Sequence, residues 1–405
     1  MSRGGEVLRF RARGCLPAPD RWIDDAYLEV CDGRFVDVCR WTDSAAATGD
    51  VIDLGDVLVA PGTVNAHAHL ELSGLAGASP PGTDFPEWIG HLMGARAAAS
   101  TELLRRERDR AAHAALLSGT TLLGDIDSLG LGSTPASGPR RVVLRELLDA
   151  RDPARTAQCL ESIGRAPSLG PLERAGWSPH APFSVSDELV AGVAREVGVH
   201  PRPIAMHWAE TPDEVAWLGG EDAWFDRFFP RRDGMHGVDL LERHGLLGPQ
   251  TMLVHGNHPR AGEPERIAAS GACVVHCPGS HHWFGREPFD FERYRRAGVR
   301  LAIGTDSLVS NDALDLGREL ALWSRSEPGV DPELLWASAT LGGARALGCE
   351  GLAGSLAPDA WADWVAYRGA PSARRPALEW LVSGISTIDA VWIGGRRVDL
   401  LDQAG

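Results

Sequence analysis

The chain has 405 residues, room for a large core and one or two domains, where a β/α barrel alone takes about 250. Its net charge of −15 excludes the basic face that nucleic-acid binding needs, and seven cysteines without a Cys-x-x-Cys pair exclude a disulfide framework. All 40 basic residues are arginine, which also excludes Schiff-base, P-loop and metal-bridging carboxylated lysines.

The first residues, through Gly14, are arginine-rich but lack the apolar core of a signal peptide. No apolar stretch approaches the roughly 18 residues of a membrane span, so a cytoplasmic protein with no membrane partner is expected. From Glu6 to about Leu58 the pattern is short and β-like. Residues 27–30, the turn Cys31-Asp32-Gly33-Arg34 and residues 35–38 read as a hairpin, because Asp-Gly supplies the left-handed turn conformations. Eight candidate strands follow, near 63–69, 120–125, 141–145, 176–180, 203–207, 251–255, 273–277 and 300–306, with helical patterns between them. The clearest helix spans 102–117, with Ser100 or Thr101 as N-cap and Gly119 as its stop. A second β-like region closes the chain: 363–367, 390–393, the turn Gly394-Gly395 and 396–398. The expected architecture is α/β: a TIM-type (β/α)8 barrel over 61–351, beside a small β-sandwich built from 1–60 and 352–405. Neither chain end is large enough to bury a core alone.

Five of the apolar runs end abruptly on a histidine or an aspartate: His67 and His69, His207, His255, His276 and Asp306. Short apolar runs are what buried parallel strands look like, and their carboxyl ends meet on the face where barrels carry chemistry. Imidazole and carboxylate converging there make a metal site. His67 and His69 are two apart, so both point the same way and can share one ion where the strand end curves. Glu210 follows His207 by three positions; spacing alone allows a solvated carboxylate at a helix start or a general acid/base, and the company of His207 favours the second. His255 directly ends its run, whereas His258 belongs to the loop. Asp306 follows so apolar a stretch that burial requires a partner, and a cation supplies one. His276 reads as a ring satisfied in the barrel top, and Arg145 with Glu146 as an ordinary ion pair ahead of a substrate contact.

Together, His67-Ala68-His69, Met206-His207-Trp208-Ala209-Glu210, His255, His276-Cys277-Pro278-Gly279-Ser280 and Gly304-Thr305-Asp306-Ser307 resemble the amidohydrolase superfamily. Within it, the chain is similar to the mononuclear branch of cytosine, guanine and S-adenosylhomocysteine deaminases and triazine chlorohydrolases. Pro61-Gly62, the stretch 339–348 and the tail Gly395-Arg396-Arg397-Val398 match as well, so the resemblance spans nearly the whole chain. The run 69–73 with Ser280-His281 is similar to aminodeoxyfutalosine deaminase-like members.

The resemblance implies a metal-dependent hydrolase that removes ammonia from an aminated N-heterocycle, a purine-nucleoside-like small molecule. One divalent ion would be held by His67, His69, His207 and Asp306. Zinc comes first because three imidazoles with a carboxylate suit it, and iron second. The catalytic residues would be Glu210, His255 and Asp306. Asp306 or His255 would take a proton from the activated water, and Glu210 would protonate the ring nitrogen. The substrate-binding candidates are Trp88, His180, Glu71 and His281. Pro86 stands where adenosine-type relatives carry an acidic ribose contact, so that contact is not carried over. The alternatives are another leaving group, chloride or a cyclic amide, and an inactive scaffold barrel. A scaffold would be expected to have lost ligands, and none is missing. Members of the family often form homodimers.

Overall fold

The computed structural model describes residues 6–41, 49–133, 138–163, 169–221, 224–230 and 234–398. The outermost residues of the expected sandwich, 1–5 and 399–405, therefore lie outside the described residues. At the amino end come β1 (Val7–Ala18), β2 (Arg21–Cys31), β3 (Arg34–Arg40), β4 (Ile52–Asp53) and β5 (Val57–Pro61). The turn between β2 and β3 has Asp32 and Gly33 both at positive φ, 51° and 73°, the conformation expected of the Asp-Gly pair.

The barrel strands are β6 (Thr63–Ala68), β7 (Thr120–Asp127), β8 (Arg140–Leu147), β9 (Glu173–Pro179), β10 (Ile204–Trp208), β11 (Thr251–His255), β12 (Cys273–His276) and β13 (Arg300–Ile303). They pair in parallel in sequence order into a nearly closed barrel, with helices in every connection but β7–β8, where the described residues hold none. All eight expected strands are present. Their runs read as continuous apolar stretches because both faces are covered, and β6, β10, β11 and β12 are buried at every position. Helix Thr101–Leu117 is capped as expected: the Ser100 hydroxyl accepts from the Leu103 N–H, and Gly119 follows at φ +93°.

The barrel closes where β6 meets the segment after β13. The backbone N–H groups of Thr305 and Asp306 donate to the His67 carbonyl at 3.0 and 3.1 Å, and His69 N–H donates to the Asp306 carbonyl at 3.3 Å. Gly304 makes this closure possible, because a Cβ there would lie 2.8 Å from the His67 carbonyl oxygen. Two of the site-bearing segments are thus stitched together by backbone, with the Asn65 side chain adding bonds to the Thr305 hydroxyl at 2.7 Å and N–H at 3.3 Å.

Strands β14 (Trp364–Arg368), β15 (Thr387–Ile393) and β16 (Arg396–Arg397) complete the chain. Both chain ends join in one mixed sheet, ordered β16-β15-β14-β5-β1-β2-β3, with β4 beside β1. The junction is the antiparallel pair β5–β14, and the shared core stacks Trp364 on Trp392 with Phe10 at its edge. Neither end could bury these rings without the other. Among the described residues no helix is long and apolar enough to cross a membrane.

Candidate active site

His67 and His69 stand at the carboxyl end of β6, His207 on the last turn of the pleat in β10, His255 at the end of β11, and Asp306 just beyond β13. Parallel strands of similar length deliver these ends to one mouth, and the side chains meet there. His67 Nε2 lies 3.6 Å and His69 Nε2 3.7 Å from Asp306 Oδ1, and His69 Nε2 lies 3.3 Å from His207 Nε2. The ligand atoms of His67, His207 and His255 all fall within 4.8 Å of one another, as do those of His67, His69 and Asp306.

The surroundings suit a cation. His67 is fully buried, yet neither Nδ1 nor Nε2 makes a hydrogen bond. A buried polar group left in that state is destabilising unless something absent from the protein itself satisfies it. Burial pushes the pKa of His67 down, and those of His69 and His255 well down, so the rings present lone pairs. Burial works against the charge of Asp306, but neighbouring His67, then His255 and His69, hold its carboxyl well below the ordinary range. Ser280 and Ser310 hydroxyls both donate to Asp306 Oδ2 at 2.8 Å, leaving Oδ1 toward the imidazoles. His207 Nδ1 sits 2.9 Å from the His180 carbonyl; a carbonyl only accepts, so Nδ1 carries the proton and Nε2 is left with its lone pair. His255, Asp306 and Ala209 adopt left-handed backbone at φ 74°, 60° and 49°. Each such residue costs about 1–3 kcal/mol, and strain of this kind collects at working sites.

Glu210 reaches the same cluster, with Oε2 3.6 Å from His255 Nε2 and Oε1 accepting from Arg286 at 2.9 Å. His180 joins it from the end of β9: its ring lies 5.0 Å from that of His207, and its Nδ1 pairs with the Ser184 hydroxyl at 2.7 Å. Glu146, His180 and His207 form a second group whose ligand atoms lie within 4.8 Å. Arg145 instead pairs with Asp127 at 3.5 Å, because successive strand residues point to opposite faces. Trp88 stands further out, stacked on Phe85 at 5.6 Å and edge-on to Phe284 at 5.5 Å, its indole N–H donating to the Val309 carbonyl.

Glu71 and His281 both make hydrogen bonds within the protein. The Glu71 carboxylate accepts from the Ser128 and Leu129 backbone N–H groups and the Ser128 hydroxyl, and burial pushes its pKa up to about 7. His281 contacts Asn257 Oδ1 at 3.2 Å and the Glu287 carbonyl at 2.5 Å. His276 stacks on Phe289 at 4.0 Å, but its buried Nδ1 makes no hydrogen bond, so the ring is packed without being fully satisfied.

Residues 58–398 match the model of the amidohydrolase family. The chain belongs to the amidohydrolase family. Aminodeoxyfutalosine deaminase of Deinococcus radiodurans is 31% identical over 324 residues, 72% of this chain and 73% of its own length. The 8-oxoguanine deaminase of Pseudomonas aeruginosa is 29% identical over 414 residues, 92% of this chain and 89% of its own. An adenosine deaminase from Xanthomonas campestris, solved with bound zinc, superposes with a TM-score of 0.79 at 25% identity, covering 96% of this chain and 92% of the other.

In this amidohydrolase several positioning groups escape sequence reasoning. Ser280, from the helix Pro278–Trp283, is visible only as part of a motif, and Ser310, four residues beyond Asp306, carries no signal for its bond to that carboxylate. Glu214 does carry one: Thr211-Pro212-Asp213-Glu214 has the form of a capping box, and the Thr211 hydroxyl accepts from Glu214 N–H. The Glu214 carboxylate reaches past the cap to accept from Ala209 N–H at 3.1 Å and Glu210 N–H at 2.8 Å, fixing the strained turn that presents Glu210. Burial pushes its pKa up to about 8, a measure of how little water reaches it. Glu214→Ala would leave two backbone donors unpaired. Chemical denaturation should register a loss of about 2 kcal/mol, with kcat reduced at unchanged metal content; a variant as stable and active as the parent would refute this role.

Proposed function

We propose that this amidohydrolase is a hydrolytic deaminase of an aminated purine-like nucleoside, with a single divalent ion, zinc before iron, held by His67, His69, His207 and Asp306. The observation carrying the ion site is the fully buried His67 with both nitrogens unpaired, beside an imidazole-rich group and an ionised carboxylate. The substrate class is supported by relatives named as deaminases of aminodeoxyfutalosine and 8-oxoguanine. An ion so held can lower the pKa of water from 15.7 to about 7, roughly 12 kcal/mol at 1.36 per unit.

The protein's own groups do the rest. In the net reaction water adds to the carbon bearing the exocyclic amine and ammonia departs, leaving a carbonyl. Asp306 Oδ1 accepts the proton that water loses, while Ser280 and Ser310 keep Oδ2 occupied. Glu210, oriented by the backbone contacts of Glu214 and with Oε2 beside His255, delivers a proton to the ring nitrogen adjacent to that carbon. His255 holds this carboxylate and the attacking oxygen within one reach. His180 meets the base from the β9 side, and Trp88, with Phe85 and Phe284, offers it an aromatic wall. Glu71 and His281 serve the site from behind, by fixing the loops that they bond.

The test is ammonia release by the metal-loaded enzyme from adenosine, methylthioadenosine, S-adenosylhomocysteine, aminodeoxyfutalosine, 8-oxoguanine, guanine and cytosine. At least one adenine nucleoside should yield one ammonia per carbonyl formed. Silence across the panel with turnover of a chlorotriazine or a cyclic amide would move the reaction to the other leaving groups.

A further inference from the structure

Arg286 has no part in the roles assigned above, and its surroundings are unusual. Its Nη2 donates to Glu210 Oε1 at 2.9 Å, with the two side chains only 10% and 13% exposed. The guanidinium carbon lies 4.4 Å from the ring centre of Phe284, and Arg286 N–H donates to the His281 carbonyl at 3.3 Å. Gly285, at φ +61°, makes the turn that brings the arginine inward. Phe284 in turn packs edge-on against Trp88. The guanidinium is therefore clamped on a face, at one nitrogen and at its own backbone. Nη1 is buried and makes no hydrogen bond.

We propose that Arg286 is a positioning residue for Glu210. This rests on the reading of Glu210 as the group that moves the proton. A glutamate has three rotatable bonds, and the backbone contacts of Glu214 fix only where its Cα sits. The charge-assisted bond from Arg286 occupies Oε1, so that Oε2 alone faces His255 and the reacting region. A planar fork stacked on a ring sets this direction as a flexible ammonium cannot. The contact also ties Glu210 to the aromatic wall: Trp88 packs on Phe284, Phe284 on Arg286, and Arg286 bonds Glu210. A substrate that stacks on that wall bears on the side chain that aims the proton donor. A purely structural ion pair would predict none of this in the kinetics.

The test uses the metal-loaded enzyme and whichever panel nucleoside releases ammonia fastest, comparing Arg286→Met, Arg286→Lys, Glu210→Gln and the double variant Arg286→Met with Glu210→Gln. Arg286→Met should lose about 100-fold in kcat, the scale of a 1 Å misplacement, with KM and metal content close to the parent's. Arg286→Lys should recover only part of that loss, and Arg286→Met should add nothing further in the Glu210→Gln background. A Met variant with unchanged kcat, a change confined to KM, or the same fold-loss in both backgrounds would overturn the proposal. If Arg286→Met fails to fold, Arg286→Lys decides alone: kcat lowered at parental melting temperature and KM supports the role, and parental kcat refutes it. Should Glu210→Gln itself retain parental activity, the assignment of Glu210 falls, whatever Arg286 does.

Discussion

Glu210→Gln should lower kcat about 1,000-fold, within the range of roughly 10²–10⁴ that a positioned proton-transfer group supplies, while fold and metal content stay as they are. The substitution is nearly isosteric. Its amide oxygen still accepts from Arg286, so the guanidinium keeps a partner, and the turn stays anchored through groups that do not involve the side chain. Glu214 receives the Ala209 and Glu210 N–H groups, and Asn257 Nδ2 donates to the Glu210 carbonyl at 3.0 Å. What glutamine lacks is a proton that can be given and regained. Melting temperature, elemental analysis and single-turnover kinetics measured together separate the outcomes. A variant with parental metal and stability that still turned over at the parental rate would remove Glu210 from the chemistry.

The barrel and the gathering of histidines and an aspartate at its mouth were legible because a parallel strand buried on both faces has few ways to end in a charged or imidazole side chain. His67, His207, His255 and Asp306 each break an apolar run, and parallel strands bring such breaks to one mouth. The helix Thr101–Leu117 and the Asp32-Gly33 turn were legible for local reasons, a capping hydroxyl and left-handed backbone. What stayed hidden depends on contacts between distant loops. Glu71 and His281 lie in motifs beside the clustered histidines, and nothing in those motifs shows that they bond Ser128 and Leu129, or Asn257 and Glu287. Arg286 sits in a loop without periodicity, so its approach to Glu210 has no sequence signature. Arg145 and Glu146 are neighbours in sequence, yet alternation along β8 sends them to different partners. The two chain ends read correctly as β structure that needs each other. That they join through β5 and β14 in one hydrogen-bonded path is a matter of long-range pairing, which composition does not encode.

Elemental analysis of the purified protein should find about one divalent ion per chain, and its removal should abolish turnover. Among the described residues the geometry offers three groups of ligand atoms. The groups His67-His207-His255 and His67-His69-Asp306 share His67, with His207 Nε2 3.3 Å from His69 Nε2, and the third combines His207 with Glu146 and His180. His207 has one lone pair to give, since its Nδ1 proton is committed to the His180 carbonyl. A second ion would have to take Nε2 from the first, and two like charges a few ångströms apart would then stand with no lysine-derived anion between them, as the chain has no lysine. Dialysis against a chelator should therefore remove a single equivalent and lower the melting temperature, by the equivalent of about 4 kcal/mol if the ion had stood at 1,000 times its dissociation constant. Asp306→Ala should reproduce the loss of metal and activity without chelator, because it deletes the anion that balances the charge. Two equivalents per chain, both needed for activity, would overturn the mononuclear assignment and give Glu146 and His180 a ligand's role.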